Sequence, residues 1–255
     1  MKDNEHYQNM VKIFTSFRYK YDIMDVFEDF IYMTAAAFSN SVDTVHYEKR
    51  ETEYMRRINR YEKKDSEKFA EIISQLVMCF EVGGPNDYLG KLFMDLDMGN
   101  KYRGQYFTPY TVSVAMASMV FNERDVRMHI NEKGYMSLYE PTCGAGGMII
   151  AAYEVVKKMG FNPQQVLKVT SQDIDFKAVL MTYIQTTILC IDNTVILGNT
   201  LMMEQQEVWR TPSRFLRIFA NLNKLHSKPE EITSELLDEC EELIDEKDGQ
   251  YVLAI

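Results

Sequence analysis

Apolar residues recur every three or four positions through most of the first hundred residues. Met10, Phe14, Phe17 and Tyr21 fall on one helix face, and Val26, Phe30, Met33 and Ala37 repeat the pattern. Phe69, Ile72, Ile73, Leu76, Val77 and Phe80 make a further helical face, which Gly83, Gly84, Pro85 and Asn86 break. Between these stretches, residues 47–64 (YEKRETEYMRRINRYEKK) carry seven Lys/Arg against four Glu. Two readings stay open: a solvated helix face, or a helix turned toward DNA or a partner.

From about residue 101 the texture changes. The irregular stretch GQYFTPY (104–110) precedes a helix carrying Val112, Ala115, Met116, Met119 and Val120. A strand is predicted over 135–139 ending at Glu140, then glycines, then a helix over 148–159 that stops at Gly160. A second strand over 166–170 ends in SQDID, and a helix covers 176–191. A third strand over 194–197 ends in GNTL. This alternation is the pattern of a parallel, doubly wound α/β sheet, in which ligands sit at the carboxyl ends of the strands. RFLRIFANLNKL (214–225) reads as a helix with Phe215, Ile218, Phe219 and Leu222 on one face. Ser227-Lys228-Pro229-Glu230 has capping-box spacing and opens an exposed amphipathic helix with Ile232, Leu236, Cys240 and Leu243 on one face. Residues 230–248 hold ten Asp/Glu and one Lys, and GQYVLAI at the end reads as one more strand.

Composition narrows the classes. A chain of 255 residues with 46% hydrophobic residues can bury one large core or two small ones. Its net charge of −10 argues against a free-standing, non-specific nucleic-acid binder. Cys79, Cys143, Cys190 and Cys240 are widely separated, which points to reduced thiols rather than disulfides or a zinc site. No apolar run approaches the ~18 residues of a membrane span, and the N-terminus has no apolar signal core. The expectation is a cytoplasmic protein with no membrane partner and no metal. His6, His46, His129 and His226 are scattered and read as surface residues. Trp209 reads as a packing residue.

The three strand ends define candidate chemistry. Gly144, Gly146 and Gly147 leave room for a ligand against the backbone, and the following helix points its free N–H groups at the same place. Asp173 lies 29 residues after Gly144, where a carboxylate can accept both hydroxyls of a ribose; dinucleotide sites use about 20 residues. Asn199 carries an amide able to pair with an adenine edge. The competing readings are a helix-capping Asp173 and a turn-forming Asn199.

These motifs carry a resemblance. GQYFTP resembles the motif that opens the S-adenosylmethionine domain of adenine-N6 DNA methyltransferases of the type I restriction-modification subunit kind. EPTCGAGGM is similar to their D-P-x-C-G-S-G-G, with Glu140 for Asp and Ala145 for Ser. SQDID resembles their second acidic motif, and GNTL their G-D-T-L with Asn199 for Asp. The resemblance covers residues from about 10 to 201, including DYLGKLFMDLDMGNKYRGQYFTP. It implies a helical N-terminal domain over 1–100 and a Rossmann-like S-adenosyl-L-methionine-binding domain over 101–255. It further implies that Tyr106, Phe107, Thr108 and Pro109 meet the methionine end of the cofactor. Glu140, Cys143, Gly144 and Gly146 would line it, Asp173 would hold the ribose with Ile174 against the adenine, and Asn199 would face the adenine amine.

The family's catalytic motif, N/D-P-P-Y/F, holds a flipped-out adenine. None of the six prolines here adjoins another, and no catalytic residue is assigned. The nearest look-alike, FANLNKL, has Asn221 at plausible spacing but Leu222, Asn223 and Lys224 after it. The last residues resemble the strand that leads into that motif. Three functions therefore remain. One is a cofactor-binding chain that methylates DNA in a complex, with a protein partner supplying catalytic or target-recognition parts. The second is a catalytically dead interaction module of DNA-modification machinery, and the third is a methyltransferase on another substrate.

Overall fold

The computed structural model describes residues 5–96, 106–217, 244–247 and 250–253. Five helices come first: α1 (Glu5–Phe17), α2 (Ile23–Asn40), α3 (Tyr47–Ile58), α4 (Lys63–Gly83) and α5 (Tyr88–Asp95). Then follow α6 (Tyr110–Val120), α7 (Glu123–Lys133), β1 (Met136–Glu140), α8 (Gly147–Lys158), α9 (Pro163–Val166), β2 (Leu167–Asp173), α10 (Phe176–Ile188), β3 (Asp192–Leu197) and β4 (Glu207–Arg210). Residues 212–217 are helical, and β5 (Ile244–Lys247) and β6 (Gln250–Leu253) close the order.

The first helices form where apolar periodicity and local caps agree. Tyr7, Met10, Phe14 and Phe17 are the buried face of α1. Asp22 caps α2 by accepting from the N–H groups of Met24 and Asp25. In α2, Val26, Phe30 and Met33 are buried as the spacing predicts, whereas Ala37 is exposed. The α4 stripe buries Phe69, Ile72, Leu76 and Phe80, and Gly84, at φ +77°, ends it with its N–H on the Phe80 carbonyl.

Strands β1, β2 and β3 are parallel and lie side by side in chain order, and β4 adds antiparallel to β3. Helix α8 connects β1 to β2, and α10 connects β2 to β3. Both expected crossovers are present, with β3 starting two residues earlier and α10 stopping three residues earlier than the periodicity suggests. The antiparallel β4 has no counterpart in the sequence reading: EVWR is too short to show alternation, and its partner β3 selects it.

Three further differences stand out. The apolar face of α6 is outward: Val112, Met116, Met119 and Val120 are exposed, while the small residues Ser113 and Ala117 are buried toward α8. Small side chains let two helices approach closely, so packing chose the face that periodicity of large residues does not mark. The terminal strand β6 pairs with β5 in a separate two-stranded antiparallel sheet. Residues 244–247, inside the acidic stretch read as helix, are therefore strand. The rest of that helix and residues 218–225 of the preceding one lie outside the described residues.

The charged stretch over residues 47–64 is partly structural. Arg50 is buried, lies 3.9 Å over the Trp209 ring, pairs with Asp43 at 2.6 Å, and donates to Ser39 and to the Val208 carbonyl. Arg57 and Arg60 each pair with the buried Asp29 at 2.8 Å, and Tyr61 donates to the same carboxylate. A buried arginine is tolerated when its charge is paired, as Arg50 is with Asp43. Trp209 is fully buried as the packing reading requires, ringed by Tyr32, Phe176 and Tyr183. One buried hydrophobic cluster runs from α1 to Trp209, so the first five helices and the sheet share a core. Among the described residues no helix is long and apolar enough to cross a membrane.

Candidate functional site

The loop between β1 and α8 is held from three sides. The Gly144 N–H donates to Asp173 Oδ2 at 2.9 Å, and the Asp175 N–H donates to Asp173 Oδ1 at 2.9 Å. The Cys143 N–H donates to the Gln172 carbonyl, also at 2.9 Å. From α10, Thr182 Oγ1 donates to the Gly144 carbonyl at 2.8 Å, and Gln185 Nε2 donates to the Ala145 carbonyl at 2.7 Å. Gly144 sits at φ +54° and Gly146 at φ +94°, a region where any side chain is strained. A Cβ at Gly144 would meet the Phe107 ring at 3.1 Å, and one at Gly146 would meet Thr182 Oγ1 at 3.1 Å. Helix α8 opens at Gly146 with no side-chain cap, so its first N–H groups are left to whatever lies above the loop.

The other strand ends join this loop. Thr200 Oγ1 donates to the Pro141 carbonyl at 2.6 Å. The Gly198 N–H donates to the Asp173 carbonyl at 2.9 Å, and Gln172 Nε2 to the Glu204 carbonyl at 3.1 Å. A Cβ at Gly198 would collide with the Glu204 carbonyl oxygen, which is why the β3–β4 turn needs glycine there. The carboxyl ends of β1, β2 and β3 thus form one hydrogen-bonded platform.

Its predicted residues divide by environment. Asp173 is half-buried, and each oxygen already accepts one backbone N–H. A carboxylate offers about four acceptor positions, so two remain for donors from outside. Ile174 projects from the platform, 69% exposed. Glu140 is half-buried and accepts weakly from the Thr142 N–H at 3.4 Å. Cys143 is buried, and burial pushes its thiol up to about 12, helped by the nearby carboxylates of Asp173 and Glu140 and opposed by a hydrogen bond with Thr182. Asn199 Oδ1 accepts from the N–H groups of Leu201 at 3.0 Å and Met202 at 3.2 Å. It performs the turn-forming role named as the competing reading.

Phe107 bridges the platform to a second feature. Its ring covers Gly144 and packs edge-on against Phe93 of α5, with centroids 5.5 Å apart. Tyr106, Thr108 and Pro109 beside it are exposed. Phe107, Thr108 and Pro109 also line a cavity of about 740 Å³, whose other walls include Asp87, Gly90, Lys91 and Met94 from the first helices and Glu154 from α8. Glu140, Cys143, Asp173, Ile174 and Asn199 do not line it. The cavity therefore reaches the platform only along the Phe107–Pro109 strip, and the charge pattern at the strand ends is the better guide to chemistry.

Sequence reasoning missed Asp87, Thr182 and Gln185. Asp87 caps α5 by accepting the Gly90 N–H at 2.8 Å, and its Oδ1 also accepts from Gln185 Nε2 at 2.8 Å. Burial raises the Asp87 carboxyl, with the hydrogen bonds from Gln185 and Gly90 opposing the rise. An Asp three residues before a Gly, just after the Gly83–Asn86 break, is a cap signal in the sequence. Nothing local in α10 marks Thr182 or Gln185, because helical spacing alone does not say which polar residue turns inward. Among the described residues no cluster of three or more His, Cys, Asp or Glu could hold a metal ion.

Comparison with curated proteins finds no match for the chain. The N-6 DNA Methylase family model matches residues 92–234, a span that takes in the Phe107–Pro109 strip, the glycine loop, Asp173 and Asn199. That match covers more than half of the 255 residues, and the chain belongs to the N-6 DNA methylase family.

Proposed function

We propose that the platform binds S-adenosyl-L-methionine, and that the chain is the cofactor-binding part of an adenine-N6 DNA methyltransferase. The carrying observation is Asp173 at the end of β2, hydrogen-bonded to the N–H of a positive-φ Gly144 and followed by the exposed Ile174. A carboxylate with spare acceptor positions suits the two ribose hydroxyls, and an exposed apolar side chain next to it suits the face of an adenine. The uncapped N–H groups of α8 suit the polar methionine end, which Phe107, Thr108 and Pro109 would flank. Tyr106, Glu140, Cys143, Gly144 and Gly146 complete the wall. Asn199 contributes by fixing the β3–β4 turn beside the adenine. In this reading residues 1–100 act as a helical domain and 101–255 as a Rossmann-like cofactor domain.

When bound, the cofactor supplies a methyl group on a sulfonium, already activated for transfer. The protein's share is to align the acceptor nitrogen with it. These 255 residues contain no N/D-P-P-Y/F, so the loop that would hold a flipped adenine comes from a further segment or from a partner chain, with DNA engaged through that complex. The low net charge fits this division, because a chain at −10 gains little from phosphate contacts by itself.

The test is a calorimetric titration of the protein with S-adenosylmethionine, repeated on Asp173→Ala. Micromolar binding that weakens in the variant supports the reading. No binding up to about a millimolar, near −4 kcal/mol of binding free energy, rejects it for this chain.

A further inference from the structure

We propose that Asp87 and Gln185 are positioning residues for the glycine loop, so that the N-terminal helices form part of the cofactor site. This rests on the reading of that loop as a cradle for S-adenosylmethionine. Gln185 is fully buried in α10, and each end of its amide meets a matching partner. Its Oε1 accepts from the Leu89 N–H at 3.1 Å, and its Nε2 donates both to Asp87 Oδ1 at 2.8 Å and to the Ala145 carbonyl at 2.7 Å. A reversed amide would set an oxygen against a carboxylate and a carbonyl, so one orientation is selected.

The carboxylate that anchors Gln185 is itself wedged in place. A Cβ on Gly90 would overlap the Asp87 carboxylate, and one on Gly147, at the start of α8, would come within 3.4 Å of Asp87 Oδ2. Two glycines from different elements therefore make room for one buried acid. The path from α5 to the cofactor loop is continuous: Asp87, Gln185, Ala145 carbonyl.

The tether matters because of where it lands. Ala145 stands between Gly144 and Gly146, both in the left-handed region. Glycine enters that region without steric penalty but loses more conformational freedom than any other residue on being ordered. A ligand bound over an unordered loop would have to order it at the moment of binding. Thr182 on the Gly144 carbonyl and Gln185 on the Ala145 carbonyl order it beforehand, which raises affinity without touching the ligand.

The experiment uses the full chain and two readouts. Amide hydrogen exchange over residues 143–147 is followed without ligand, and S-adenosylmethionine is titrated by calorimetry. The proteins compared are wild type, Asp87→Ala, Gln185→Ala, the double variant and Asp87→Asn. Each alanine variant is expected to speed exchange in the loop and to weaken binding by about tenfold, the scale of one or two buried hydrogen bonds. The double variant is expected to be no worse than the poorer single, because both changes cut one path. Asp87→Asn keeps an Oδ1 acceptor and is expected to restore both readouts, an outcome that a bare need for some residue at this position does not demand. Gln185→Met, which keeps volume and loses the amide, carries the same test if an alanine variant fails to fold. Unchanged loop exchange, additive effects, or faster exchange spread evenly over the sheet would overturn the proposal. If wild type shows no binding, the cofactor reading fails while loop exchange still decides whether the path exists.

Discussion

At the scale of single residues, the glycine loop and its cysteine give sharp expectations. Gly144→Ala places a methyl in the left-handed region and against the Phe107 ring at 3.1 Å. The backbone strain alone is of order 1–2 kcal/mol, so loop geometry and S-adenosylmethionine affinity should both suffer, with affinity falling tenfold or more. Titration of Gly144→Ala, Phe107→Ala and the double variant separates the two causes: the double variant should lose less than the two singles added together, because one ring contact is counted in both, and the strain should remain. Thiol chemistry differs across the chain. Cys143 and Cys79 are buried with thiols pushed up by burial, to about 12 and about 11, whereas Cys190 is exposed. Iodoacetamide at pH 8 should label Cys190 while sparing Cys143 and Cys79 until the protein is denatured, as peptide mapping would show.

At the scale of elements, the α2–α3 junction predicts how the protein responds to acid. Burial pushes the Asp43 carboxyl up, but the His46 hydrogen bond and the Arg50 charge outweigh it and hold the group at about 2, below its ordinary 3.8. A carboxyl depressed in the folded state contributes stability above its unfolded pKa and loses that contribution as pH falls through the folded value. The helical region should therefore weaken between about pH 4 and pH 2. Glu53, held at about 2 chiefly by the Arg56 hydrogen bond and also by Arg57, acts in the same window. Asp43→Asn should be less stable than wild type at pH 7 and should lose less stability between pH 4 and pH 2, measured by urea unfolding across that range. A parallel slope for the variant would show that Asp43 is not the titrating group.

At the scale of the molecule, Trp209 joins the parts. It carries Arg50 of α3 on its face, Tyr32 of α2 and Tyr183 of α10 on its edges, and it belongs to the cluster that runs back to α1. Trp209→Ala should cost about 3–5 kcal/mol, and Trp209→Phe less. It is the sole tryptophan, so its fluorescence reports on this junction alone. Fluorescence and far-ultraviolet circular dichroism should trace one coincident denaturation curve, as expected when the first helices and the sheet share a core. Two separated transitions would show that the regions unfold independently.

What the amino-acid sequence determined by itself was local and periodic. The α1 and α4 faces, the strand–helix alternation from β1 to β3, and the placing of Gly144, Gly146, Asp173 and Asn199 at strand ends all follow from spacing and turn chemistry. Those are properties of a few neighbouring residues. The tertiary structure alone decided which competing partner each group took. Arg50 went inward to the Trp209 ring and the Val208 carbonyl rather than to solvent, α6 turned its small residues to α8, and Gln185 found the glycine loop. Those choices rest on contacts between residues tens of positions apart, where burial makes a polar group take the partner that geometry leaves within reach. No window of sequence records that distance.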